Sequence, residues 1–265
     1  MGIAPGAGPD PAEADVKAHV GLLVWAMTAR LTFVRKRTII ENCTEMYTFM
    51  SVAKKNNYAV ITADVVQSRS VEAFRQKRDK KLRELSAIHQ QQQLILSPYA
   101  VTAWDEFQAI LSKPEFLPRI ILDLRRYFFP LRLWIAVGVG TVSDAHKKPV
   151  NLFAGGESFE RARKAADQLK ESFSKYPVFT SFESGNPAFD TIANAIYRLH
   201  DSLIDKTTAK QWATINAQFK ATGQEAAARK LALDASTISR NLKRGYYWQM
   251  IETADAVEKI IGSCF

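Results

Sequence analysis

Two runs of apolar and β-branched residues constrain this chain more than anything else in it. They span residues 58–66 (YAVITADVV) and 131–142 (LRLWIAVGVGTV). Both are too continuous for half-exposed strands and too short for helices that stand alone, so they read as buried strands that need cover on both faces. Amphipathic segments supply that cover. Residues 69–91 place Val71, Phe74, Leu82, Leu85 and Ile88 at helical spacing among charged positions, one long helix with Gln90–Gln93 at its end. Residues 114–128 carry Phe116, Leu117, Ile120, Ile121 and Leu124 on one side, and residues 157–173 form a third helix. Short apolar segments at 99–102 and 107–111 flank Ala103-Trp104-Asp105-Glu106 and read as a hairpin. Residues 178–182 are a last strand.

The resulting order, β-α-β-β-α-β-α-β, is mixed α/β (α+β), and its first six elements follow the split-βαβ, ferredoxin-like plan. Composition agrees with a folded chain: of 265 residues 47% are hydrophobic and 24% charged, which excludes wholesale disorder, collagen and coiled coil. Cys43 and Cys264 lie near opposite ends, so a disulfide scaffold or zinc site is excluded and a reducing cytoplasm is expected. His19, His89, His146 and His200 are scattered without carboxylates or cysteines at metal spacing, and are expected at the surface or in caps. No Walker A, G-x-S-x-G or dinucleotide fingerprint is present.

Residues 1–49 form a separate extension. Residues 1–15 are a patternless Pro/Gly/Ala run, and the apolar stretch at 20–28 is cut by Arg30 and followed by Arg35-Lys36-Arg37. That stretch is about half the roughly 20 residues a membrane span needs, and the charges follow it instead of preceding it as in a signal peptide. The expectation is no membrane partner, with the folded part starting at Met50: an α/β domain over 50–185 and a helical part over 186–265.

Two acidic residues stand where a metal would want them. Asp64 lies near the end of the first strand and Asp105 at the hairpin tip. The split-βαβ plan makes these strands neighbours, so the two carboxylates meet at one end of the sheet. Paired carboxylates with a backbone carbonyl suit Mg²⁺, nucleotide phosphates completing the shell. Glu106 is a third candidate, expected to point to the other face. Read alone, the same residues also fit a turn cap and a solvated tip. Gly138 and Gly140 interrupt the second long strand, where glycine marks close approach of a ligand or another backbone.

The helical part has its own pattern. Residues 225–231 and 235–244 are two short helices around the turn Ala232-Leu233-Asp234, with Leu233 as an apolar plug and Asp234 as N-cap. This is the layout of a helix-turn-helix. Ile238 and Leu242 form the inner face of the second helix; Ser236, Thr237, Ser239, Arg240, Lys243 and Arg244 form the outer one. Short hydroxyls at the helix start suit base edges, and the cations suit phosphates of double-stranded DNA. The chain is basic overall, with 36 Lys and Arg against 27 Asp and Glu. Ala232 is a departure, because such turns usually hold glycine and a left-handed alanine costs of order 1 kcal/mol. A last helix over 248–261 can dock on this module or pair two chains.

The ordered segments TADVVQSR, AWDEFQAIL, RLWIAVGVGTVS and GGESFERARKA resemble the SatD family of bacterial proteins. The resemblance runs from about Tyr58 to Ile261 and implies a C-terminal helix-turn-helix. The same order is similar to nucleotide cyclases, the GGDEF-type diguanylate cyclases among them. That likeness implies Asp64, Asp105 and the carbonyl of Val65 as metal ligands, with Gly138 and Gly140 beside a nucleotide. Trp104 stands where those enzymes have glycine, and Glu160 and Lys164 where a helix carries Asn and Arg. An acidic side chain there repels polyphosphate. The reading is therefore a cytoplasmic DNA-binding transcription regulator whose α/β part senses a ligand without catalysis. A metal-dependent nucleotide enzyme using Asp64 and Asp105 is the alternative, and a pure interaction protein with basic helix faces a third.

Overall fold

The computed structural model of the chain describes residues 57–143, 155–173, 175 and 177–265. The expectations for residues 1–49, the start at Met50, Cys43, His19 and His146 lie outside the described residues.

The first apolar run becomes β1 (Tyr58–Val65) and the second β4 (Leu133–Gly140), with β2 (Ala100–Val101), β3 (Glu106–Leu111) and β5 (Thr180–Glu183) completing one five-stranded mixed sheet. The strand order is β2-β3-β1-β4-β5. β1 is antiparallel to both neighbours, β3 and β4, and β4 runs parallel to β5. β3 thus separates β1 from β2, as the split plan requires.

Helices cover both faces, which is why β1 and β4 read as continuous apolar runs. α1 (Phe74–Gln91) and α2 (Leu117–Phe128) share a buried core with Ala59, Ile61, Ala63 and Val65 of β1 and with Phe107 of β3. α3 (Glu157–Phe173) lies on the opposite face, where Val60 and Ile110 meet Ala162. On that face β1 continues from Val60 with Thr62 and Asp64, polar residues that mark where the helical cover runs out.

α4 (Pro187–Ile204) closes the free edge of β5. The Asn194 side chain accepts from the Phe182 N–H at 2.8 Å and donates to its carbonyl at 3.0 Å. Asp190 accepts from Ser184 N at 2.9 Å, and Asp201 accepts from Phe179 N at 2.7 Å. A helix face thereby supplies the groups a further strand would supply, and the edge is blunted. Arg125 of α2 donates to both Asp201 and Thr180, a buried pair that ties α2, β5 and α4 together.

Four further helices follow: α5 (Ala209–Phe219), α6 (Gln224–Leu231), α7 (Ala235–Arg244) and α8 (Tyr247–Cys264). Trp212, Ile215, Ala227, Ala228, Ile238, Leu242 and Met250 form their core, to which Leu122 of α2 contributes. Val257 and Ile261 of α8 belong instead to the core on the sheet. The described residues fall within one compact unit, Lys54–Phe265, and the boundary expected after residue 185 lies inside the shared core of α4 and the sheet. Among the described residues no helix is long and apolar enough to cross a membrane.

Three expectations need correction. The long helix begins at Phe74, not at residue 69, because a 3₁₀ turn at Ser68–Ser70 and a left-handed Ala73 (φ 51°) precede it. The segment from Pro114 opens as a 3₁₀ turn, Pro114–Phe116, before α2 starts. His89 and His200 are buried, not at the surface. His89 lies between the Tyr99 hydroxyl at 2.9 Å and Asp123 at 3.3 Å. Burial and the nearby Arg125 charge push the His200 imidazole down to about 3, so it stays neutral.

Candidate functional site

Three carboxylates collect at the end of the β1–β3 ladder. Asp64 is the direct cross-strand partner of Glu106 on β3 and of Trp134 on β4. Residues paired in this way point to the same face, so Glu106 shares Asp64's face, contrary to the expectation that it would turn away. Asp105 precedes Glu106, and its carbonyl accepts from Val65 N at 3.3 Å, which holds the hairpin tip against the end of β1. The Ser68 hydroxyl donates to Asp105 Oδ2 at 2.6 Å, and Thr102 donates to Glu106 at 2.5 Å. Asp64 has only the backbone N–H of Val65, and its Oδ1 is buried without a hydrogen-bond partner, as is Nε1 of Trp134 beside it. Burial, and then the Asp105 charge, push the Asp64 carboxyl up to about 6, against the pull of Lys170.

A groove of about 470 Å³ opens on the same face between the sheet and α3, lined by Thr62, Glu106, Gln108, Glu160, Arg163 and Lys170 among others. Reading for metal-like carboxylates passed over Thr62, Gln108 and Lys170. The interruption of the apolar pattern of β1 by Thr62 is the one mark of this groove that the sequence carries. Trp104 is not among the residues that line this groove. It is half exposed and lies under the Arg75 guanidinium at 3.7 Å, while Arg78 donates to the Ala103 and Trp104 carbonyls and fixes the tip.

Among the described residues no three His, Cys, Asp or Glu side chains are grouped closely enough to hold a metal by themselves. Mg²⁺ is commonly held by one or two carboxylates with phosphate oxygens and water. The partnerless Oδ1 of Asp64 and the adjacent Asp105 fit that description, with the Val65 carbonyl at the same strand end, provided a ligand brings the remaining oxygens.

Gly138 and Gly140 allow a helix to approach. A Cβ on Gly138 would lie 2.0 Å from the Ser158 carbonyl and 2.3 Å from Ala162 N, both backbone atoms of α3. A Cβ on Gly140 would lie 2.6 Å from the tip of Arg161. Of the two readings of a strand glycine, Gly138 shows close approach of another backbone.

The second candidate surface is built on α6 and α7. Ala232 does take the left-handed conformation (φ 51°, ψ 45°), and Leu233 N bonds back to the Ala228 carbonyl at 3.1 Å. Leu233 is 40% exposed, so it is not the plug of the turn; Leu231 packs against the helical core instead. Asp234 caps α7, accepting from Thr237 N at 2.7 Å and from the hydroxyls of Ser236 at 2.5 Å and Thr237 at 2.7 Å. The two hydroxyl bonds and then the amide bond hold its carboxyl well below the usual carboxylate range. Ile238 and Leu242 are fully buried, and Asn241 donates to Thr214 of α5 at 3.1 Å, so α7 is fixed on its inner side. Ser236, Ser239, Arg240, Lys243 and Arg244 are exposed on its outer side, and Thr237 is half buried.

A family model described as the SatD family matches residues 58–256, about three quarters of the chain. No curated protein matches it.

Proposed function

This chain belongs to the SatD family, and we propose that it is a DNA-binding regulatory protein. In this reading α6, the turn at Ala232 and α7 are a helix-turn-helix with α7 as recognition helix. The ferredoxin-like, nucleotide-cyclase-like α/β part senses a ligand. The observation that carries the reading is the division of α7. Its inner face is anchored by Ile238 and Leu242, and its outer face offers hydroxyls and cations, starting from an Asp234 cap. A rigid helix with that outer face suits the major groove, with Lys243 and Arg244 at its far end on phosphates. Fluorescence anisotropy of the full chain on duplex DNA, over a series of salt concentrations, tests it. The affinity should fall steeply with salt, and Lys243→Ala/Arg244→Ala should lower the slope of log K on log salt by about 2. Equal binding by both proteins at every salt concentration defeats the proposal.

A second reading is favoured by the partnerless Asp64 Oδ1: the α/β part binds a nucleotide through Mg²⁺, with Asp64 and Asp105 as the carboxylate ligands. The ion would supply charge neutralisation for the phosphates. Asp64 would hold it, and the Ser68 hydroxyl would orient Asp105. Calorimetry with Mn²⁺ and a nucleoside triphosphate should give binding by the wild type and its loss in Asp64→Asn. Absence of binding by the wild type leaves the pair without this role. Metal-dependent turnover that is lost in Asp105→Asn would place the enzyme reading ahead of the regulatory one.

A further inference from the structure

We propose that Arg240 reads a guanine edge in the major groove and that Ser236 and Thr237 position it, an assignment that rests on the DNA-binding reading above. The sequence alone suggests the reverse, hydroxyls on bases and Arg240 on phosphate. The cap decides otherwise. A hydroxyl has one proton to donate, and Ser236 and Thr237 both give theirs to Asp234, at 2.5 and 2.7 Å. What remains on their oxygens is acceptor capacity, and Arg240 uses it. Arg240 Nη2 donates to Thr237 Oγ1 at 3.1 Å and to Ser236 Oγ at 3.4 Å, and its Nε donates to the Ser236 carbonyl at 3.3 Å.

Two consequences follow. The guanidinium is folded back over the first turn of α7, the end that contacts base edges when a recognition helix lies in the groove. These three bonds hold the Nε edge and one side of Nη2, so the outer edge of the guanidinium, Nη1 with the far side of Nη2, faces a partner, and the side chain is ordered before DNA arrives. Arginine donating to O6 and N7 is the commonest specific contact to guanine, and a pre-ordered fork loses less entropy on forming it. Phosphate neutralisation falls to Lys243 and Arg244, two turns further along.

The test uses the full-length protein and duplexes selected by it from a randomised pool. The selected site should contain a guanine whose replacement by adenine weakens the wild type by about 5- to 150-fold. Arg240→Ala should lose that discrimination while keeping the salt slope of the wild type. Lys243→Ala should keep the discrimination and lower the slope by about 1. Arg240 is exposed, so circular dichroism should find both variants folded. An Arg240→Ala protein that still prefers guanine, or that binds all duplexes equally weakly with a slope lowered by about 1, overturns the assignment and makes Arg240 a phosphate contact. A wild type that binds no duplex at all removes the DNA reading itself, and Arg240's role with it.

Discussion

Asp64 and Glu106 face each other as direct partners across β1 and β3, two carboxylates where a sheet ordinarily pairs opposite charges or apolar groups. Glu106 is relieved by Thr102, and the neighbouring Asp105 by Ser68. Asp64, between Glu106 and Trp134, has a buried oxygen with no partner. An arrangement that costs stability persists when something else is gained by it, which makes Asp64 the residue to perturb first.

In the folded chain Asp64 titrates at about 6, and its ordinary value is 3.8. Between those values the unfolded chain gives up the proton first, so raising the pH favours unfolding. The loss begins near pH 4 and is complete above about 6. Asp64→Asn keeps the shape and removes the charge. It should raise the melting temperature at pH 7.5 and change it little at pH 4. Thermal melts of both proteins at the two pH values check this, and an equal shift at both would show that the carboxylate is not strained.

Gly138 separates two explanations of a strand glycine. If α3 is what approaches it, Gly138→Ala must push the helix backbone off β4, because a Cβ has 2.0 Å to the Ser158 carbonyl. Overpacking of this kind costs about 1–3 kcal/mol or more. Gly140→Ala meets side chains only, the end of Arg161 at 2.6 Å and the Cβ of Glu157 at 3.0 Å, and should cost less. Urea unfolding of the two variants should rank them in that order. A Gly138→Ala protein as stable as the wild type would return the glycine to a ligand role.

Strands and helices were legible because β1 and β4 are buried on both faces and α2 and α3 on one, so residue periodicity carried the information directly. The start of α1 was not, since Ala73 and Gln67 adopt left-handed conformations that nothing in their side chains announces. Asp64 and Asp105 were legible as acidic residues at strand ends. Gln108 on β3 and Lys170 on α3 come from other elements, and only register and helix packing bring them to this face. A lone histidine gives no sign of its burial, so the depth of His89 and His200 is not written in the sequence. The outer face of α7 was visible in the 3.6-residue period. The engagement of Ser236 and Thr237 by Asp234 is a matter of rotamers, which no spacing encodes.

Ala232 offers a test of the α6–α7 turn. Its left-handed backbone costs an alanine about 1–2 kcal/mol, and glycine removes that cost while making the unfolded chain more flexible by about 0.4–1 kcal/mol. Ala232→Gly should therefore be neutral to about 1 kcal/mol more stable. Ala232→Val, β-branched at positive φ, should lose more than about 1 kcal/mol. Denaturation midpoints at unchanged m-value measure both, and a destabilised glycine variant would contradict the left-handed turn.

At the middle of the β5 edge the backbone is satisfied by one amide. Asn194 both accepts from and donates to the backbone of Phe182, whose side chain is itself buried. Leucine at 194 fills similar space and satisfies neither group. A buried backbone donor or acceptor left unpaired costs about 1–3 kcal/mol, and water reaching the half-buried position recovers part of it. Asn194→Leu should therefore lose about 2 kcal/mol in urea unfolding. The opened edge should also recruit strands from other molecules, so the variant should show concentration-dependent association by light scattering where the wild type does not. Thr191→Ala is the control: it lies on the same helix, and its hydroxyl bonds only to the Pro187 carbonyl behind it. If Asn194→Leu is no less stable than that control and stays monodisperse, the edge is protected by some other means than the amide.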